Sequence, residues 1–120
     1  WGRPATEKRP LHIEKSIRVT RADFTAPVIP MPETGDGIRH ILAQCEYFTL
    51  EMLSAESNVI ELNTNGETFH AITVIEGRAV LQTETVSVEL DRFQTAVVPA
   101  GMRRYEFRPL EKCRALKSSV

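Results

Sequence analysis

Histidine, cysteine and aromatic side chains are all scarce in these 120 residues, and neither sign of charge dominates. Lys and Arg number 15 against 16 Asp and Glu, for a formal net charge of −1. A nucleic-acid-binding domain usually carries a basic excess gathered on one face, so the balance argues against that class. No apolar run approaches the roughly 20 residues that a membrane-spanning helix needs. A charged start, an apolar stretch and a small-residue cleavage site do not occur in that order either. Cysteine occurs only as Cys45 and Cys113, far apart and outside any C-x-x-C pair. A disulfide scaffold would need a denser set. Both are expected to be buried, reduced thiols, with a single bridge between them left open. These absences point to a cytoplasmic protein that engages neither nucleic acid nor membrane.

What is present fits one globular domain. Hydrophobic residues make up 42% and charged residues 26% of the chain, near the average for such a domain. A chain of this length buries about two-thirds of its unfolded surface, enough for a proper core. The first residue is Trp1 rather than Met, so the chain is expected to be processed or to be a piece of a longer one.

Residues 1–37 differ from the remainder. Five of the seven prolines, at positions 4, 10, 27, 30 and 32, fall in this stretch. Proline removes a backbone donor and fixes φ, which bars residues 26–32 from a central strand or a helix. The expectation is an extended N-terminal arm packed on its neighbour, interrupted by one short helix over Leu11–Arg21. Leu11, Ile13, Ile17, Phe24, Val28, Ile29 and Met31 would seek cover there, and His12 would help to dock the segment. Glu33–Gly37 is a turn. Residues 38–120 then carry the pattern of an all-β barrel or sandwich, with many short strands at close spacing. Phe48, Leu50 and Met52 alternate with polar neighbours, as on a half-buried strand. Val59–Leu62 is a second short strand. Phe69–Ile75 is nearly continuous apolar, as for a strand covered on both faces. Arg78–Thr83, Val86–Leu90, Thr95–Val98, the Tyr105/Phe107 alternation and Cys113–Ser118 complete the set, with Val86, Val88 and Leu90 on one face.

Three of these segments resemble the two core motifs of a cupin. They are Phe69–Gly77, Val86–Leu90 and Ala96–Gly101, with Gly77 permitting a tight turn and Pro99-Ala100-Gly101 turning the chain at the barrel mouth. The resemblance implies a cupin-like jelly-roll barrel. Metal-binding cupins carry two histidines and a glutamate in the first motif and one histidine in the second. Here the positions for the histidine pair fall near Thr64–Gly66, where no histidine stands, His70 falls near the glutamate position, and Arg103, Arg104 and Tyr105 stand where the last histidine is due. One imidazole is not a metal site, and two arginines at the mouth would repel a cation. No metal and no cofactor are therefore expected in this chain.

A wider resemblance covers most of the chain. Trp1-Gly2-Arg3, Arg9–Ser16, Cys45–Phe48 and Phe69–Gly77 are similar, in order and spacing, to landmarks in the C-terminal part of the short type I mannose-6-phosphate isomerases. That family interconverts mannose 6-phosphate and fructose 6-phosphate at a zinc site. Its zinc ligands and catalytic arginine lie upstream of the segment matching Trp1-Gly2-Arg3, so none transfers to a residue here. The resemblance implies an accessory cupin domain with no catalytic residues, whose partner is a missing catalytic domain or a sugar phosphate. Without that domain the chain is expected to be inactive. Competing readings are a stand-alone cupin that binds a sugar or another small molecule, and a metal-dependent cupin enzyme, which the missing ligands disfavour.

Candidate binding residues are few. Arg103 and Arg104 could hold a phosphate, because a guanidinium grips phosphate with two parallel hydrogen bonds. Solvated strand-edge charges are the plainer explanation. His70 alternates with Ile72 and Val74 and should face the interior, as a binding residue or as an ordinary hydrogen-bonded core histidine. His40 should lie on the surface. Arg3 could line the rim of an active site in a longer parent, though a free terminal charge is the simpler account. Cys113 is expected to be a small core residue, not a nucleophile.

Overall fold

The computed structural model describes residues 12–20, 30 and 32–120. Among them are one short helix and nine strands, all paired antiparallel. The strands are β1 (Ile38–Gln44), β2 (Thr49–Ala55), β3 (Ile60–Asn63), β4 (His70–Glu76), β5 (Ala79–Gln82), β6 (Ser87–Leu90), β7 (Thr95–Val98), β8 (Arg104–Pro109) and β9 (Cys113–Ser119). They form a five-stranded sheet in the order β1-β2-β9-β4-β7 and a four-stranded sheet in the order β3-β8-β5-β6. Neighbours in space are mostly distant in sequence, the crossed connectivity of a jelly roll.

The core follows from period-two alternation on the two inner faces. Leu53 and Ala55 on β2, Ile72 and Val74 on β4, and Cys113 and Ala115 on β9 point inward from the first sheet. Ile60, Leu62, Ala79, Leu81, Tyr105 and Phe107 face them from the second. Phe107, buried completely, is the largest side chain fully enclosed in this core. Full burial of a side chain of this size contributes about 1.5–3 kcal/mol.

Two details hold the connections. Asp36 Oδ1 accepts hydrogen bonds from the backbone N–H groups of Glu56, Ser57 and Asn58 at 2.8–2.9 Å, tying the entry of β1 to the turn after β2. Those bonds favour the charged carboxylate and hold its pKa below the ordinary 3.8. Gly77 turns β4 into β5 with φ +69°, and a Cβ there would lie 2.3 Å from the Lys112 carbonyl oxygen. Only glycine fits a left-handed turn in such close approach.

Several sequence expectations change. Burial along β4 alternates rather than being continuous: His70, Ile72 and Val74 are buried, and Phe69 is exposed. The strand buried on both faces is β2, where all five residues from Glu51 to Ala55 are buried. Val86 and Val88 are exposed because β6 is an edge strand, and only Leu90 reaches the core. Cys113 is buried as expected, but Cys45 is exposed in the turn after β1, and both are free. The helix α1 runs over Ile13–Val19 and buries none of its residues. Ile13 and Ile17 are 61% and 68% exposed, so neither gains the cover expected of it. His12 is also exposed, with its carbonyl accepting the Ser16 N–H. Seven residues without a buried face make a marginal helix. Arg3, Leu11, Phe24, Val28, Ile29 and Met31, together with Trp1, lie outside the described residues.

Candidate functional site

The inner face becomes polar at one end of the sandwich. The alternation that buries Leu53 and Ala55 carries Glu51 inward, and that of Cys113 and Ala115 carries Lys117 inward. Glu51 and Lys117 are direct cross-strand partners on β2 and β9. Their side chains are only 7% and 6% exposed, and the Lys117 ammonium donates to Glu51 Oε2. Arg39, reaching in from β1, donates to Glu51 Oε1 through Nη2 at 2.6 Å and Nε at 3.1 Å. Burial alone would raise the Glu51 carboxyl, but the two cationic donors outweigh it and hold its pKa below 4.5. The result is a buried carboxylate clamped between two cations.

Beside this trio His70 and Tyr105 bridge the sheets. Nδ1 of His70 on β4 and Oη of Tyr105 on β8 share a hydrogen bond of 2.6 Å, with ring centroids 5.7 Å apart. Burial first, then the charges of Lys117 and Arg39, push the His70 pKa down to about 4, against the opposing pull of Glu51. Burial likewise drives the Tyr105 hydroxyl well above its ordinary 10. Both groups are neutral at pH 7, and together they satisfy a polar pair in the core. His70 was legible as an inward residue from its alternation. Glu51, Lys117 and Arg39 were missed, because charged residues on strands normally face solvent and nothing local marks these as different.

Arg103 and Arg104 lie elsewhere. They line an open groove of about 540 Å³ together with Asn63, Asn65, Thr83, Glu84, Thr85, Gly101 and Met102. The groove forms where the β3–β4 turn meets the single 3-10 turn Ala100–Met102 that precedes β8. Thr64 fastens the two: its buried hydroxyl donates to the Ala100 carbonyl at 2.6 Å, and its N–H donates to the Arg103 carbonyl at 2.9 Å. Arg104 sits opposite Asn63 on the outer face of the second sheet, while the next residue, Tyr105, turns inward. A broader groove of about 840 Å³ adjoins the first, lined by Glu61, Asn63, Gln82, Arg104, Glu106 and Arg108 and touching Arg39 and Tyr105 as well. The structure thus brings Arg103 and Arg104 together and leaves His70 out of their groove. His40, expected on the surface, is half-buried, with Nε2 3.1 Å from the Glu33 carbonyl oxygen.

The donor chemistry does not fit a metal ion. Thr64, Gly66, His70 and Arg104, which stand near the cupin ligand positions, supply one imidazole among a hydroxyl, a glycine and a guanidinium. Among the described residues no group of three or more His, Cys, Asp or Glu is placed to hold one. The cations Lys117 and Arg39 already occupy the polar end of the interior.

No protein-family model matches the sequence. No curated protein matches it either. Solved structures do, and they show the cupin fold. A cupin-2 domain-containing protein from Shewanella frigidimarina superposes with a TM-score of 0.60 at 11% identity, over 90% of this chain and 91% of that one. The mannose 6-phosphate isomerase from Bacillus subtilis superposes with a TM-score of 0.71 at 24% identity. That match covers 93% of this chain but only 35% of the isomerase. A putative mannosephosphate isomerase from Archaeoglobus fulgidus gives 0.56 at 22% identity, over 63% of this chain and 24% of that one. The chain has the cupin fold, and its match spans about a third of the Bacillus isomerase. Among the described residues no helix is long and apolar enough to cross a membrane.

Proposed function

We propose that this chain is the cupin module of a longer protein like the mannose-6-phosphate isomerases, with a structural or accessory role and no chemistry at a metal of its own. The observation that carries this is the extent of the Bacillus subtilis match: nearly the whole of this chain against 35% of that one. The order of Arg9–Ser16, Cys45–Phe48 and Phe69–Gly77 along the chain agrees with it. An internal cation pair supports the metal-free half of the reading, since Lys117 and Arg39 bring positive charge where a metal ion would add more. In such a parent, aldose–ketose isomerisation and its zinc belong to the part preceding Trp1.

The test is the reading frame upstream of Trp1, together with the 120-residue chain assayed by itself. An in-frame domain with a zinc-ligand set is expected, and the isolated chain should show neither mannose 6-phosphate turnover nor a stoichiometric transition metal on elemental analysis. Turnover that survives rigorous purification, or one equivalent of zinc, iron or manganese in the barrel, overturns it. A second reading is a stand-alone cupin that binds a small molecule. It draws on the Shewanella match, which spans 91% of a cupin chain of similar length. An upstream frame without any zinc-site domain would favour it.

A further inference from the structure

We propose that the groove between the β3–β4 turn and the start of β8 is a phosphate-binding site, in which Arg103 and Arg104 hold the dianion of a phosphate monoester or of inorganic phosphate. The proposal is independent of the module's parentage, because it rests on this groove alone.

The first support is how the arginines are engaged. From β1 onward, Arg39, Arg78, Arg108 and Arg114 are each ion-paired to a carboxylate. Arg92 donates to the Ile75 carbonyl and lies over the Phe93 ring. Among the described residues from β1 onward, Arg103 and Arg104 alone have no such partner. Both line the same groove of about 540 Å³, where Glu84 is the single carboxylate. The site therefore keeps one positive charge in excess, with two guanidinium forks free to meet phosphate oxygens.

The second support is backbone conformation. Arg103 has φ 53° and ψ −98°, a sparsely populated region that glycine would occupy more readily. Asn65, across the groove, is also left-handed, with φ 56°. Thr64 locks both loops in place through its bonds to Ala100 and Arg103. An arginine kept in a strained turn, on a wall fastened by a buried hydroxyl, is the arrangement expected of a pre-organised binding group. Asn63, Asn65, Thr83 and Thr85 add amides and hydroxyls that can meet the alcohol part of an ester.

The experiment is an amide NMR titration of the whole chain with inorganic phosphate and with glycerol 3-phosphate, using chloride at matched ionic strength as control. Saturable shifts centred on Asn65, Gly66, Arg103 and Arg104 are expected with the phosphates and not with chloride. Tighter binding of glycerol 3-phosphate identifies a monoester as the source, and equal binding identifies free phosphate. Arg103→Gly should weaken binding by about tenfold or more, the loss of a charged hydrogen-bond donor, while melting at the wild-type temperature or above because glycine relieves the turn. Arg104→Gln should weaken binding similarly and keep the strand paired. No saturable shift, shifts reproduced by chloride, shifts centred away from this groove, or full binding in both variants would each overturn the assignment.

Discussion

Replacing Lys117 by Met is the sharpest test of the interior. The substitution keeps most of the side chain's volume and removes one of the two cations on Glu51, a carboxylate with a 7% exposed side chain. Breaking a buried ion pair from one side costs about 3–5 kcal/mol, because the remaining charge stays desolvated. Arg39 still holds Oε1 at 2.6 Å, which puts the expected loss near the low end, about 3 kcal/mol. For a domain of this size that lowers Tm by roughly 10 °C. The double variant Glu51→Leu/Lys117→Met removes both charges and should recover most of the loss. Arg39 can then return to water, its side chain being 44% exposed. Because the folded pKa of Glu51 lies below 4.5, its ionised form contributes stability that is fully present above that value. The contribution disappears as pH falls through the lowered folded pKa, so the cost of Lys117→Met should be full at pH 7 and shrink at acid pH. Urea unfolding of the four proteins of this cycle at several pH values measures all of this. A loss below about 1 kcal/mol for Lys117→Met, or a double variant as unstable as the sum of its single changes, refutes the clamped-carboxylate account.

Three further outcomes follow from the same geometry. His70 has its folded pKa lowered from 6.5 to about 4, so the unfolded chain binds the extra proton first as pH falls. The wild type should lose about 3 kcal/mol relative to a His70→Gln variant between pH 7 and pH 4, and parallel pH profiles of the two in urea would contradict the buried neutral imidazole. In a native thiol titration at pH 8 the exposed Cys45 should react quickly, and Cys113, whose thiol burial pushes up to about 11, only after unfolding; two fast thiols would contradict its burial. Gly77→Ala should cost more than about 2 kcal/mol, since the added methyl meets the Lys112 carbonyl at 2.3 Å in a left-handed turn, and a wild-type melting curve would show that the turn can shift.

The strands were legible because alternation is a local, period-two signal that survives in one sequence. Tyr105/Phe107 and Ile72/Val74 announce an inner face, and Gly77 and Pro99-Ala100-Gly101 mark where the chain must turn. His70 was placed inward for the same reason. Alternation also puts Glu51 on the face of Leu53 and Lys117 on the face of Ala115, yet a charge is ordinarily taken to show which face meets water. What reverses that inference is the pairing of β2 with β9 across 66 residues, a long-range register that no local pattern encodes. Burial of β2 on both faces, the exposed edge of β6 and the exposure of Cys45 are likewise decided by position in the sheets. Nothing local in the sequence sets Thr64 apart, and the packing of two distant loops makes it the buried fastener of the Arg103–Arg104 groove. Composition and periodicity thus determined an all-β domain and its core strands, since these depend on neighbours along the chain. The buried charges and the groove were decided only by tertiary structure, because a charge is stabilised inside a protein by the partners that folding brings to it.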